Sequence, residues 1–339
     1  MRILLADNFD SSSVERLREL GCDVRCEPRL GPHTLVEAVT GVDVLVVRST
    51  KVPAAVIATA DALRCIVRAG AGYDNIDVTA AAAAGVRVCN CPGMNAIAVA
   101  ELAFGLLICC DRRLAEQTAQ FRQGRWRKKE YIRARGLKGM TLGVVGVGSI
   151  GEALIQRARA FDISIFVWSR SMTVDRAAEL GATHGGRDRA SLLRMLGECD
   201  AVSIHVAATD ETQGMCDREF FAAMNDGAFF INTARGALVD ESALRDAVQS
   251  KGLRCGLDVY QGQPPVPEAE WKSPLADLPG ATFTHHIGAS TDQAQRAVSE
   301  EVVRIIRVFM ETGHFSNCVN EDELAQATSP DRPVPHQRG

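Results

Sequence analysis

The 339-residue sequence lacks a long hydrophobic run, a strong excess of charge and any cysteine spacing typical of a metal site. Its most apolar stretch, Leu102 to Cys110, is about half as long as the ~20 residues that a membrane-spanning helix needs. The formal net charge of −4 gives no polycationic surface. We therefore expect neither membrane insertion nor nucleic-acid binding.

The start of the chain also lacks the length and the small-residue cleavage site of a secretory signal peptide. The eleven cysteines are odd in number and scattered, and several of them, such as Cys65, Cys199 and Cys255, lie in apolar segments. This pattern favours buried free thiols in a reducing compartment. We expect a cytoplasmic protein without a bound metal ion.

A glycine-rich run is the most informative feature that the sequence does contain. Residues 143–151, Gly-Val-Val-Gly-Val-Gly-Ser-Ile-Gly, match the pattern G-x-G-x-x-G at Gly146, Gly148 and Gly151. An apolar stretch precedes the glycines and a helical stretch follows them, which is the context that dinucleotide binding requires. The glycines permit a tight turn and close approach of a pyrophosphate, which the amides of Ser149 and Ile150 at the helix start would bind.

Short apolar strands alternate with helical segments along the chain, which is typical of parallel sheets covered on both faces. Two such series are present, and only the second, from Thr141 onward, carries the glycine fingerprint. The expected fold class is α/β, with two doubly wound parallel-sheet domains. A long helix is predicted from about Asn95 to Gln120. A final amphipathic helix, about Thr291 to Thr312, should cover the first domain, and residues 321–339 should form a flexible tail.

The residues after the second strand of the fingerprint unit indicate which dinucleotide is preferred. An NAD site usually has an Asp or Glu about 20 residues after the glycines. Here the strand ends in Ser169-Arg170-Ser171, with no acidic residue at its tip. A guanidinium attracts the 2′-phosphate of NADP, which a carboxylate would repel. We expect NADP or NAD as cofactor, with NADP preferred; a solvated loop charge on Arg170 is the alternative.

Several further runs together resemble the D-isomer-specific 2-hydroxyacid dehydrogenase family, and within it the phosphoglycerate dehydrogenase type. The resemblance extends from about residue 2 to residue 320. It implies a Rossmann nucleotide domain, residues 97–287, inserted into a discontinuous flavodoxin-like substrate domain, residues 1–96 and 288–320. It also implies an active site between the domains and a homodimer. The runs are 47–52 (VRSTKV), 68–77 (RAGAGYDNID), 90–95 (NCPGMN), 232–236 (NTARG), 256–260 (GLDVY) and 285–291 (HHIGAST).

The resemblance places Arg235, Gln263 and His286 at the catalytic centre. Arg235 matches the family's arginine, since a guanidinium binds a carboxylate through two parallel hydrogen bonds. His286 matches the family's histidine, whose proton exchange suits neutral pH. Gln263 stands where related dehydrogenases have a glutamate that pairs with this histidine, although formate dehydrogenases of the superfamily also have glutamine. Because an amide favours the imidazolium less than a carboxylate does, we expect a lower pKa for His286 than in glutamate-bearing relatives.

The remaining predicted contacts also follow from the resemblance. Backbone amides around residues 69–72 and nearby guanidinium groups suit a carboxylate or phosphate. Substrate contacts are therefore expected from Arg48, Ser49, Arg68, Ala69, Gly70 and Asn95. Besides the three glycines, cofactor contacts are expected from Ser149, Ile150, Ser169, Arg170, His205, Thr233, Ala234, Asp258 and Gly288.

The leading prediction for function is oxidation of D-3-phosphoglycerate to 3-phosphohydroxypyruvate, as in serine biosynthesis, or the same chemistry on a phosphonate analogue. A doubly anionic substrate would explain the basic residues Arg48, Lys51, Arg127 and Lys128. Two alternatives stay open. One is an NADPH-dependent glyoxylate or hydroxypyruvate reductase, which Arg170 supports. The other is a catalytically weak, dinucleotide-sensing interaction protein, for which the replacement by Gln263 argues weakly.

Overall fold

The computed structural model describes residues 1–264 and 268–327. These residues divide into two compact units: Met1–Asn95 together with residues 292–327, and the described part of Ala96–Thr291. Each unit is built on one parallel sheet with helices around it. This architecture confirms the predicted α/β class with two doubly wound sheets.

The first unit contains a five-stranded sheet in the order β2-β1-β3-β4-β5. Its strands are β1 (Arg2–Leu5), β2 (Asp23–Cys26), β3 (Val44–Val47), β4 (Cys65–Arg68) and β5 (Arg87–Asn90). The order is that of flavodoxin-like sheets, as predicted. The helices of this unit are Ser11–Glu19, Pro32–Ala38, Ala54–Thr59, Val78–Ala83, Asp292–Thr312 and Glu321–Ala327.

The core of the first unit forms because apolar residues occupy both faces of its central strands. All four residues of β3, Val-Leu-Val-Val, are buried. The helix Asp292–Thr312 adds Val302, Ile305 and Ile306 to this core, so it covers the first unit as predicted. Glu321–Ala327 form a helix where the sequence predicted a flexible tail, so that prediction was wrong for these residues. The remainder of the predicted tail lies outside the described residues.

The second unit contains seven described strands, β6 (Thr141–Val145), β7 (Ser164–Trp168), β8 (Thr183–His184), β9 (Ala201–Ile204), β10 (Phe229–Asn232), β11 (Arg254–Leu257) and β12 (Ala281–Phe283). They form one sheet in the order β12-β11-β10-β9-β6-β7-β8. The order reverses direction where β6 lies between β9 and β7, and ligands of open α/β sheets bind at such switch points. The sequence did not predict β8, a two-residue edge strand that is too short to show a hydrophobic pattern.

The single long helix predicted from Asn95 to Gln120 is wrong, because the chain forms two helices there. Arg113 separates them with a left-handed backbone conformation, φ 51°. The first of the two helices is largely buried, whereas the second buries none of its described residues. The helices of this unit are Ala96–Arg112, Leu114–Arg122, Lys128–Tyr131, Ser149–Arg159, Val174–Glu179, Arg189–Gly197, Arg218–Ala223 and Glu241–Lys251, with a 3₁₀ turn at Gly236–Leu238.

Candidate active site

The glycine fingerprint forms the turn between β6 and the helix Ser149–Arg159. A Cβ on Gly146 would lie 2.7 Å from the carbonyl carbon of His205, and one on Gly151 would lie 2.5 Å from the carbonyl oxygen of Gly146. Neither position therefore has room for a side chain. By contrast, a Cβ on Gly148 would have no atom of the described chain within 4 Å. This open space, at a helix start that no described side chain caps, fits a pyrophosphate.

Two buried polar atoms at the ends of neighbouring strands lack a hydrogen-bond partner within residues 1–264 and 268–327. They are Nδ1 of His205, after β9, and Oγ1 of Thr233, after β10. The other ring nitrogen of His205, Nε2, lies 2.8 Å from the hydroxyl of Ser203. Burial lowers the pKa of His205 to about 4, so its ring is neutral at pH 7. Because buried polar atoms normally have partners, these two atoms fit a polar ligand such as a dinucleotide.

The predicted contact for a 2′-phosphate has an acidic neighbour. Arg170 is the second residue after β7, and its guanidinium forms an ion pair with Glu211, from the loop after β9. Both side chains are exposed. The sequence around this strand tip does not reveal the acid, because Glu211 lies 41 residues further along the chain. Ser169, beside Arg170, is 3.4 Å from the hydroxyl of Ser171.

Arg235 lies in a turn that a buried amide side chain and a glycine shape. The Oδ1 atom of Asn232 accepts the Ala234 N–H at 3.0 Å, and its Nδ2 donates to the Arg235 carbonyl at 2.9 Å. A Cβ on Gly236 would lie 2.1 Å from the carbonyl carbon of Tyr260, so only glycine lets these two segments approach. Neither Asn232 nor Gly236 was among the predicted site residues, although both lie in a run that carries the family resemblance.

His286 lies in the loop after β12, with φ 54°, a left-handed conformation that is uncommon for histidine. Its amide donates to the Asp258 carbonyl at 2.8 Å. The buried carboxylate of Asp258 accepts the Thr284 hydroxyl at 2.6 Å and the amides of Ile287 and Gly288 at 2.9 Å each. Asp258 and Gly288 were predicted as cofactor contacts. In the structure they bond to each other and hold the loop that carries His286.

Gln263 lies beside His286, with 2.5 Å between Nε2 of the glutamine and Nδ1 of the histidine. The Oε1 atom of Gln263 accepts the Tyr260 N–H at 3.1 Å. The Tyr260 hydroxyl lies 2.6 Å from the Thr284 carbonyl oxygen, and burial raises the pKa of this phenol. Tyr260 was not predicted as a site residue, and its position in the run 256–260 was the only sequence signal for it.

The predicted substrate residues of the first unit follow β3 and β4. The carboxylate of Asp7 accepts the amides of Arg48 at 2.6 Å and of Ser49 and Thr50 at 3.2 Å each. In the loop after β4, the amide of Ala69 donates to the Val47 carbonyl and that of Gly70 to the Arg68 carbonyl. We expected the amides of Ala69 and Gly70 to be available for an anion. The structure corrects this, since both are already hydrogen-bonded.

The side chain of Arg68 folds back over its own loop. A Cβ on Gly70 would overlap the guanidinium, 1.6 Å from Nη1, and Gly70 has φ 149°. The structure thus brings Arg68 and Gly70 together at the end of β4. Asn95, at the end of this part of the unit, has a buried Oδ1 without a partner in the described part of the chain.

The described ranges, 1–264 and 268–327, contain neither a metal-binding cluster nor a membrane-spanning helix. No group of three or more His, Cys, Asp or Glu side chains is arranged there to hold a metal ion. No helix in these ranges combines the length and the apolar character needed to cross a lipid bilayer.

Comparison with known proteins defines the class to which this fold and site belong. Residues 104–288 match the family model described as D-isomer specific 2-hydroxyacid dehydrogenase, NAD binding domain. The chain belongs to this family. It is therefore an oxidoreductase that uses NAD or NADP to act on the CH–OH group of D-2-hydroxy acids.

Particular relatives differ in the substrate that their names give. The chain is 40% identical over 315 residues to a hydroxypyruvate reductase from Thermotoga maritima, covering 92% of this chain and 98% of that protein. It is 33% identical over 313 residues to a D-3-phosphoglycerate dehydrogenase from Archaeoglobus fulgidus, covering 91% of this chain but only 58% of that protein. A solved NADPH-dependent glyoxylate/hydroxypyruvate reductase from Sinorhizobium meliloti, in complex with NADP and malonate, has a TM-score of 0.78 at 29% identity, covering 95% of this chain and 97% of that chain.

Proposed function

We propose that this enzyme interconverts D-3-phosphoglycerate and 3-phosphohydroxypyruvate. The observation that carries the proposal is the guanidinium of Arg68 folded over Gly70 at the end of β4, with Arg48 and Lys51 in the loop after the neighbouring strand. Basic side chains from two adjacent strand ends suit a substrate with two anionic groups. A relative at 33% identity bears the name of this activity.

In this proposal Arg235 binds the substrate carboxylate through paired hydrogen bonds, and His286 exchanges the proton of the C2 oxygen. Gly148, His205 and Thr233 would hold the dinucleotide, which would supply or take up the hydride at C2. The chain's own residues provide rigid placement, because Asn232 fixes the turn of Arg235 and Asp258 fixes the loop of His286. Loops held by buried charged and amide groups keep reacting groups in position, which is a large part of catalysis.

The experiment compares 3-phosphohydroxypyruvate with hydroxypyruvate in wild type and in Lys51→Met. Removing the charge of the exposed Lys51 should raise KM for the phosphorylated substrate about tenfold and change that for hydroxypyruvate about twofold or less. Lys138→Met is the control, since this exposed lysine belongs to the second unit and pairs there with Asp162 at 3.3 Å. The phosphate substrate is rejected if wild type has the higher kcat/KM for hydroxypyruvate, or if Lys51→Met affects both substrates equally.

NADPH-dependent reduction of hydroxypyruvate or glyoxylate is a second candidate with its own support. The carboxylate of Asp7 lies beneath the loop that carries Arg48 and Lys51, and it lowers the positive potential there. The relative at 40% identity is a hydroxypyruvate reductase. The same substrate comparison separates the two candidates. Dinucleotide binding without turnover of any 2-keto acid would instead favour the interaction-protein alternative.

For the cofactor, we propose a preference for NADP over NAD. The 2′-phosphate would replace the Glu211 carboxylate as the partner of Arg170, because a doubly charged phosphate binds a guanidinium more strongly than an exposed carboxylate does. The solved relative in complex with NADP supports this choice. A lower KM for NADH than for NADPH would contradict it.

We also propose a homodimer formed through residues 114–132 of the second unit. This segment exposes Leu114, Phe121, Trp126 and Ile132, with Phe121 and Trp126 exposed by 69% and 78%. Apolar side chains exposed to this extent mark interaction surfaces. Light scattering should give the mass of a dimer for wild type and of a monomer for Phe121→Ser/Trp126→Ser, while Val174→Ser, at an exposed valine elsewhere in the unit, stays dimeric. A monomeric wild type would end this proposal.

We infer a cytoplasmic location from the thiols. All eleven cysteines lie within the described ranges, and all are free. Burial raises the pKa of several, Cys91 and Cys255 among them, to about 12, which keeps these thiols protonated and unreactive. Protein that is unfolded and alkylated at the moment of cell lysis should carry eleven modified cysteines. Recovery of disulfide-linked cysteines would argue against this location.

A further inference from the structure

The side-chain amide of Gln263 has one orientation that satisfies both of its neighbours. The backbone N–H of Tyr260 is a donor only, so the atom that faces it at 3.1 Å must be the oxygen, Oε1. The nitrogen, Nε2, then faces Nδ1 of His286 at 2.5 Å. An amide nitrogen carries two hydrogens and accepts none, so Nδ1 must be the acceptor of this bond.

We propose that the Tyr260 amide, acting through Gln263, holds neutral His286 as the tautomer whose hydrogen is on Nε2. The inference rests on the proposed role of His286 in proton exchange and specifies the state in which the ring meets its substrate. Gln263 is a positioning residue here, because it acts through the histidine. A carboxylate in its place would accept both the Tyr260 N–H and an Nδ1–H, and would hold the opposite tautomer.

This tautomer makes the uncharged ring a hydrogen-bond donor at Nε2. A C2 carbonyl oxygen can accept that bond, which binds and orients the keto acid. Transfer of the proton to that oxygen needs a second proton, taken up from solvent at Nδ1, so that neutral imidazole remains afterwards. A C2 hydroxyl, in contrast, has no base at Nε2 until the tautomer changes. Protonation at Nδ1 would set its N–H against the amide hydrogens of Gln263, and turning the amide over would give up the bond to Tyr260. The pair therefore favours binding of a keto acid by the neutral ring.

The tautomer can be read from two-bond ¹H–¹⁵N correlations of histidine-labelled full-length protein, at a pH well above the usual histidine pKa of about 6.5. His286→Asn assigns the signal. Wild type should show the Nε2–H pattern and Gln263→Glu the Nδ1–H pattern. The signals of His205 and His285 serve as internal controls and should not change between the two proteins.

A wild-type spectrum with the Nδ1–H pattern, or a Gln263→Glu spectrum that keeps the Nε2–H pattern, would overturn the inference. Gln263→Leu removes both polar groups and should give a mixture of tautomers; a pure Nε2–H pattern there would show that Gln263 does not select it. The spectra need no turnover. The expected tautomers without reduction of any 2-keto acid would contradict the proposed function alone, and turnover with the wrong tautomer would contradict this inference alone.

Discussion

The loop after β3 in the first sheet and the loops after β6, β9 and β10 in the second satisfy their polar groups in opposite ways. In the first unit the chain supplies its own anion, since the carboxylate of Asp7 accepts three successive amides after β3. In the second unit Gly148 leaves open space, and Thr233 Oγ1 and His205 Nδ1 have no partner among the described residues. A converging set of amides is therefore not itself a ligand site. A ligand site is instead indicated by buried polar groups that have no partner among the described residues.

The largest effect that we expect from this difference is on stability at low pH. The neutral ring of His205 has a pKa of about 4 in the folded protein, against about 6.5 in the unfolded chain. Below pH 6.5 the unfolded chain takes up a proton that the folded protein refuses. The free energy of unfolding should therefore fall by about 3 kcal/mol as the pH decreases from 6.5 to 4.

Urea denaturation at several pH values measures this loss. The loss in free energy of unfolding must be compared between wild type and His205→Gln, because carboxylates also titrate in this range. His33→Gln, at an exposed histidine of the first unit, is the matched control and should retain the wild-type pH dependence. If His205→Gln loses as much stability as wild type between pH 6.5 and 4, the ring is not buried as described.

Gly148→Ala should have the next largest effect, and it should act on binding alone. A methyl group there meets no described atom within 4 Å, and φ of −97° is allowed for alanine, so the fold should keep its stability. The same methyl group would occupy the space for the pyrophosphate. Calorimetry should show an affinity for NADPH about ten- to a hundredfold lower, or about 1.4–2.7 kcal/mol.

The control for this variant is Gly105→Ala, in the middle of the helix Ala96–Arg112. A Cβ at Gly105 also meets nothing within 4 Å among the described residues. Gly105→Ala should leave the affinity for NADPH unchanged and raise the free energy of unfolding by up to about 1 kcal/mol, because alanine favours a helix. Equal affinities in Gly148→Ala and wild type would place the pyrophosphate elsewhere.

The sequence predicted what depends on short stretches of chain and missed contacts between residues far apart along the chain. The fingerprint turn, the strand β3 and the runs containing Arg235 and His286 are local patterns, so the fold and the candidate catalytic positions could be predicted from them. Glu211 meets Arg170 across 41 residues, and Asp7 meets Arg48 across 41 residues. Such pairs form because parallel strands of one sheet end at the same edge, and the order of strands is not written in any one segment.

Other differences have a conformational cause. The helix predicted from Asn95 to Gln120 ends early because one residue, Arg113, takes a positive φ, which a hydrophobic pattern does not report. The amides of Ala69 and Gly70 seemed suited to an anion from the small residues around them. Whether an amide is available depends on which carbonyl lies opposite, and here Val47 and Arg68 provide it.

Asp7→Asn should have a moderate effect, confined to the first unit. The asparagine keeps one acceptor oxygen but loses the charge that three amides share, so the free energy of unfolding should fall by about 1–2 kcal/mol. Asp61→Asn is the control, since within the described part of the chain Asp61 accepts only the Gly41 amide, and the loss of stability should be smaller. Urea midpoints compare the two. An unchanged midpoint in Asp7→Asn would mean that the amides do not depend on this carboxylate.

The smallest effect concerns the acid that the sequence did not reveal. Glu211→Gln keeps the size of the side chain but removes the charge that competes with a 2′-phosphate for Arg170. An exposed ion pair contributes about 0.2–1 kcal/mol, so KM for NADPH should fall by about 1.4- to 5-fold while KM for NADH stays the same. The difference should shrink at high salt, because exposed charges are screened. Glu179→Gln, at an exposed partner of Arg176, should change neither KM. If Glu211→Gln lowers KM for both dinucleotides alike, Glu211 acts on the common part of the cofactor, and the second unit would not distinguish the two dinucleotides through Arg170.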